Sequence, residues 1–213
     1  MAKENRQQVR QLIAQQAARL MAEDGIADFA YAKKKAGRLL AVDEDSVLPS
    51  NAEIEVELKQ YQALFLSEVQ PKILSELRKN ALLTMQLLER FNPYLTGAVL
   101  DGTAGRMADT HIHLFTDSLK DVELFLLNQQ IPYSTDEKPA RSLYDAKREK
   151  KADGRKRVPV FTLETDAGLI KLSVLAVDDI RVAGKRAADG SRAARLDTNG
   201  VIALLAQDFK PPA

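Results

Sequence analysis

The chain has no cysteine. Disulfides, thiolate metal sites and a cysteine nucleophile are therefore excluded. The absence fits a reducing compartment, and a cytoplasmic protein is the expectation. No apolar run approaches the roughly 20 residues that span a bilayer, so no membrane partner is expected. The polar start "MAKENRQQVRQ" does not read as a secretory signal. There is no G-x-x-x-x-G-K-[ST] phosphate loop and no G-x-S-x-G elbow, which leaves P-loop and elbow-type hydrolase chemistry unsupported. Neither sign of charge dominates: 31 Lys and Arg face 30 Asp and Glu, for a net charge of +1.

Histidine is scarce too. The chain has two, His111 and His113, two residues apart in "LTGAVLDGTAGRMADTHIHLFTD". The "DTHIH" run looks at first like the first-strand His-x-His of metal-dependent amidohydrolases. Those centres need further histidines from other strands, and this chain has none. His111 and His113 with one nearby acid make a candidate site for Zn²⁺, Ni²⁺ or Mn²⁺, since imidazole suits such metals. Spacing fixes no third ligand, and two ligands alone bind weakly. The favoured role for the rings is to line a cleft or donate hydrogen bonds to an anion.

What the chain does have is 213 residues with 45% hydrophobic and 29% charged content, an ordinary globular mix that can bury a core without staples. Its first part reads as helical. In "VRQLIAQQAARLMAED", Val9, Leu12, Ile13, Leu20 and Met21 recur near helical spacing, and Gly25 is a stop signal. Asp28 is placed to cap a short helix with Phe29, Ala32, Ala36 and Leu39 or Leu40 inward. Ser50 with Glu53 forms a capping-box pattern ahead of Ile54, Leu58, Tyr61 and Phe65. Pro71 suits the first turn of a fourth helix that runs through Leu74, Leu77, Ala81, Met85 and Leu88.

The texture changes at Asn92-Pro93. "YLTGAVL" and "THIHLF" read as strands, Ser118 caps a helix, and "VPVFTLETDAGLIKLSVLAV" reads as a hairpin around Asp166-Ala167-Gly168. A last helix follows, with Asp197 or Thr198 as cap. The fold class predicted is α+β: a helical domain over 1–91 and a mixed sheet with flanking helices over 92–213.

Within that second part, Gly97-Ala98 ends the strand "YLTGA", Gly102 follows Gly97 by five residues, and twelve residues, Val99 to Thr110, lead to the strand "HIHL". Over roughly Phe91 to Val177 this resembles small nucleotidyltransferases of the DNA polymerase beta superfamily. The resemblance implies a glycine turn whose backbone N–H groups hold phosphate. It also implies paired acids on the second strand, a third acid on a later strand, and a nucleotide with divalent metal as cofactor. Metal-bound oxygens are then stabilised through an in-line displacement. Residues i and i+2 of a strand share a face, which is what the paired acids require.

The sequence departs from this pattern where the acids belong. His111 and His113 stand at the pair, and Lys171 of "KLS" stands at the third position. Asp101, Asp109, Asp117, Asp178 and Asp179 are nearby acids without the family's spacing. The expectation is a catalytically degenerate nucleotidyltransferase-like protein. It binds a nucleotide or other phosphate ligand through Gly97, Ala98, Gly102, Arg106 and Lys171. One alternative is an active transferase with a rearranged metal site that uses acids such as Asp109 or Asp179. Another is a nucleic-acid or protein-interaction module led by the basic segment 147–157, "KREKKADGRKR", with Arg181, Lys185, Arg186, Arg192 and Arg195 as a second basic group. No aromatic residue is interleaved in the basic run, which weakens a role in stacking single strands.

Overall fold

The computed structural model describes residues 2–42, 47–139, 157–181 and 194–208. Helices α1 (Ala2–Glu23), α2 (Phe29–Leu39), α3 (Asn51–Phe65) and α4 (Gln70–Leu87) come first. Their ends are set by local hydrogen bonds that the sequence announces. Asp28 accepts from the Tyr31 N–H at 2.6 Å. Ser50 and Glu53 close a reciprocal capping box at the start of α3, which satisfies donors that a helix end leaves free. Pro71 occupies the first turn of α4, where its missing N–H costs nothing.

Helices α1 to α3 enclose one apolar cluster, built from Ile13, Ala14, Ala17, Ala18, Leu20, Ala32, Ala36, Val47, Ile54 and Leu58. Small alanines dominate it, so the helices approach closely and larger side chains are pushed to the rim. Leu12, Leu39 and Phe65, expected inward, are 54%, 61% and 68% exposed. The amphipathic stripe is therefore narrower than the apolar spacing suggests.

Helix α4 belongs to a different cluster. Leu74, Leu77, Ala81, Met85 and Leu88 are buried with Leu95, Ile112, Leu114, Phe161, Leu163, Ile170 and Leu172 of the sheet. The strands are β1 (Pro93–Thr96), β2 (Thr110–Phe115), β3 (Tyr133–Pro139), β4 (Arg157–Thr165) and β5 (Gly168–Leu175). Between β1 and β2 lies the one-turn helix α5 (Ala98–Asp101); α6 (Leu119–Asn128) follows β2, and α7 (Thr198–Asp208) comes after β5. Val122 and Leu126 of α6 and Val201 and Leu205 of α7 complete the same cluster. Each large side chain so buried contributes roughly 1.5–3 kcal/mol.

The five strands form one sheet in the order β1-β2-β5-β4-β3. β1 is antiparallel to β2, β2 is parallel to β5, and β5 with β4 and β4 with β3 are antiparallel. The whole is mixed α+β, as the order of helical and strand patterns predicts. The hairpin turns at Asp166-Ala167, with Gly168 at φ 116°. Strand β3 was not legible in "IPYSTDEKP": it pairs only with β4 among the described strands, and an edge strand tolerates polar, charged and proline residues. No helix among the described residues is long and apolar enough to cross a membrane.

Candidate functional site

One face of the sheet packs on α4, α6 and α7; the other carries the polar residues. Cross-strand register fixes which side chains share it, because directly opposed residues point the same way. Thr96 opposes His111, His111 opposes Lys171, Lys171 opposes Thr162, and Thr162 opposes Ser134. The next row runs Tyr94, His113, Ser173, Val160 and Asp136. Two residues beyond Asp136 on β3, and hence on the same face, is Lys138.

The turn after β1 abuts this face. Gly97 has φ 75° and ψ −158°, a backbone region that is essentially reserved for glycine. A Cβ there would lie 3.6 Å from His111 Cδ2, so a side chain at this turn would meet the first imidazole. The helical layer holds the rest of the loop. Arg78 Nε donates to Val99 O at 3.0 Å and its Nη2 to Leu100 O at 3.1 Å. Gln70 Nε2 donates to Gly102 O at 2.8 Å, and Gln62 Nε2 to Thr103 O at 2.9 Å. Gly102, at φ 82°, spends its N–H on Ala98 O, as Thr103 and Ala104 spend theirs. Gly102 thus closes the loop against α4, where Arg78 and Leu74 are the nearest atoms. Ala98 opens α5 beside Gly97, and Arg106 is exposed.

Both histidines are neutral at neutral pH. Burial pushes the His111 imidazole down to about 4; Lys138 and Lys171 push the same way and Asp109 opposes them. Burial also pushes His113 down to about 4, helped by Arg195, His111 and Lys138. His113 is 8% exposed, and its buried Nδ1 has no hydrogen-bond partner. Lys138 is lowered by burial and by the neighbouring Lys171 charge, with Asp109 and Asp136 opposing. Lys171 Nζ pairs with Asp109 Oδ2 at 2.5 Å. The Arg195 guanidinium lies over the Phe115 and Tyr94 rings, 5.2 and 6.0 Å from their centroids, and donates to Ile180 O at 3.1 Å.

This donor set does not fit Mg²⁺. A hard cation wants carboxylate and carbonyl oxygens, whereas the strand positions at issue carry two imidazoles and an ammonium, and a second ammonium faces them. For a softer metal, His111 and His113 are a pair. Among the described residues no group of three or more His, Asp or Glu that could hold a metal is found. Asp109 is engaged by Lys171, Asp117 accepts from the Val177 N–H at 3.1 Å, and Asp101 and Asp178 are exposed. Of the basic segment 147–157 only Arg157 is described; it pairs with Glu137 at 2.8 Å. Lys185, Arg186 and Arg192 also lie outside the described residues.

The residue that sequence reasoning missed is Lys138. It enters the site from the unrecognised strand β3, and only the alternation of Ser134, Asp136 and Lys138 would have signalled it. Compared with protein-family models, curated proteins and solved structures, the chain gives no match.

Proposed function

We propose that this chain is a nucleotidyltransferase-like protein that binds a nucleotide or other phosphate ligand without the family's metal-dependent transfer. The observation that supports it is the parallel pairing of β2 with β5, which sets His111 opposite Lys171. These are the positions where the resemblance puts acids, and a side chain at the Gly97 turn would meet His111. Imidazoles and an ammonium there suit an anion and do not suit Mg²⁺. A cytoplasmic location fits the absence of cysteine. The reading is tested by thermal unfolding with a panel of nucleoside triphosphates and polyphosphate, with and without EDTA. A ligand at 100 times its Kd stabilises by about 2.7 kcal/mol, or a rise in Tm of about 5–10 °C for a chain of this size. No shift with any phosphate compound would remove the proposal.

A further inference from the structure

We infer that the loop over residues 102–109 is a latch seated by the helical layer α1 to α3. While seated it holds the Asp109 carboxylate on Lys171; when the layer shifts, it releases Lys171 to the phosphate ligand. The inference rests on the phosphate-binding reading above and adds how access to one of its residues is controlled.

The loop lies between two separate apolar cores. Helices α1 to α3 enclose one, and α4 with the sheet and its other helices forms the second. Ala104 and Ala108 of the loop pack with the second core. The helices of the first core reach the loop at other points. Gln62 on α3 is 6% exposed, and its Nε2 donates to Thr103 O at 2.9 Å. Gly25, between α1 and α2, has φ 68°. A Cβ at Gly25 would lie 2.9 Å from Met107 Cβ, closer than real contacts allow. The far end of the loop is Asp109, whose carboxylate pairs with Lys171. The latch therefore has its seat on the helical layer and its tip on the polar face of the sheet.

The seat depends on how α3 meets α4. Gly102 O and Ala104 O accept from Gln70 Nε2 of α4, at 2.8 and 3.3 Å, while Thr103 O between them accepts from Gln62 of α3. Three successive carbonyls are thus held from two helices that belong to different cores and are joined by residues 66–69. A rotation of α3 against α4 cannot keep all three bonds in place. A carbonyl left without its donor away from water is costly, so the loop moves with its anchors. The tip is the weak point. Both side chains of the Asp109–Lys171 pair are about 30% exposed, and so open a pair is weakly held. A displaced loop gives up this pair before it gives up its carbonyl bonds. By linkage, a ligand that takes Lys171 from Asp109 loosens the seat in return.

The test is calorimetric titration of the full chain with ATP, beside ¹³C spectra of the ligand-free chain. Gln62→Met keeps the length of the side chain without its donor, and Gly25→Ala drives Met107 from its place. Each is expected to raise ATP affinity about twofold to fivefold, the strength of an open ion pair. Each is also expected to move the Asp109 carboxyl and Lys171 Cε resonances before any ligand is added. In an Asp109→Asn background neither substitution is expected to change affinity, because the latch has no tip left to release. Val122→Ala opens a cavity at a fully buried position of α6; it is expected to lower stability and leave affinity and both resonances unchanged. Unmoved resonances in both loop variants, an affinity gain that persists in the Asp109→Asn background, or the same gain from Val122→Ala overturns this inference and leaves phosphate binding standing. No ATP binding by any of these chains overturns both.

Discussion

The Asp109 carboxylate and the Lys171 ammonium lie 2.5 Å apart, with both side chains about 30% exposed. A pair this open contributes little to stability, about 0–1 kcal/mol. Its consequence is electrostatic. The carboxylate whose charge acts on His111 is held by a lysine, at the position where the resemblance expects a third acid. Asp109→Asn removes the competing anion and leaves Lys171 to the ligand. Affinity for ATP is therefore expected to rise about threefold to tenfold, with unfolding free energy changed by under about 1 kcal/mol. Calorimetry and urea denaturation measure the two effects. Weaker binding in the variant would show instead that Asp109 touches the ligand or a metal directly.

Both imidazoles titrate near 4 in the folded chain, against an ordinary 6.5. Above about pH 6.5 the rings are neutral whether the chain is folded or not. Between pH 6.5 and about 4 only the unfolded chain takes up these protons, so stability falls as the pH falls through that window. Each ring withdraws up to about 3 kcal/mol by the bottom of it. A His111→Gln, His113→Gln chain is expected to show a shallower loss of Tm from pH 7 to pH 4 than the wild type. Parallel curves would contradict the burial of neutral rings. Acidic groups add their own slope. Glu53, held down to about 2 chiefly by the Arg10 hydrogen bond, loses its contribution as pH drops below the ordinary carboxylate range, equally in both chains.

Much of the fold was legible because it is locally determined. Asp28, Ser50 with Glu53, Pro71, Ser118 and Asp197 each act on backbone groups within three residues, so their spacing in the sequence is their geometry. The hairpin at Asp166 to Gly168 is local in the same sense. What was not legible depends on distant partners. β3 reads as polar loop because its hydrogen bonds come from β4 and its outer edge needs no apolar face. "THIHLF" fixes that His111 and His113 share a side, but only the sheet order tells that Lys171 and Lys138 share it with them. The inward set of the first three helices was overestimated for a related reason. Alanine-rich contacts such as Ala17 and Ala36 close the helices so tightly that Leu12 and Phe65 are left outside.

Gly97 has two constraints in one place. Its φ of 75° with ψ −158° strains any residue with a side chain by about 1–3 kcal/mol. A methyl group would also press toward His111 Cδ2 at 3.6 Å, which is ordinary contact. The cost of Gly97→Ala is therefore expected to be conformational, about 1–3 kcal/mol in urea denaturation, with ATP affinity reduced as the turn shifts against His111. Gly97→Asn is expected to be as damaging, because ψ near −158° lies outside the left-handed helical well that asparagine tolerates. A variant as stable as the wild type would show that this turn relaxes freely.

Arg78 ties the loop to two helices from the interior of the protein. Its side chain is 5% exposed, and Nη1 bonds both oxygens of Asp208 on α7, at 2.7 and 2.8 Å. Nε and Nη2 take the carbonyls of Val99 and Leu100 on α5. Lysine has no planar fork to offer those groups. Arg78→Met fills the space but abandons two carbonyls and a carboxylate, and is expected to cost about 3–5 kcal/mol. Asp208→Asn keeps a partial partner at a 25% exposed site and is expected to cost only about 1 kcal/mol. The asymmetry is the diagnostic part. If Arg78 mattered only through its ion pair, the two variants would lose equal stability. If it organises the loop, Arg78→Met alone also weakens ATP binding, because α5 and the Gly97 turn lose their anchor on α4. Denaturation and calorimetry on the two variants separate these cases, and equal losses with unchanged ATP affinity would reject the anchoring role.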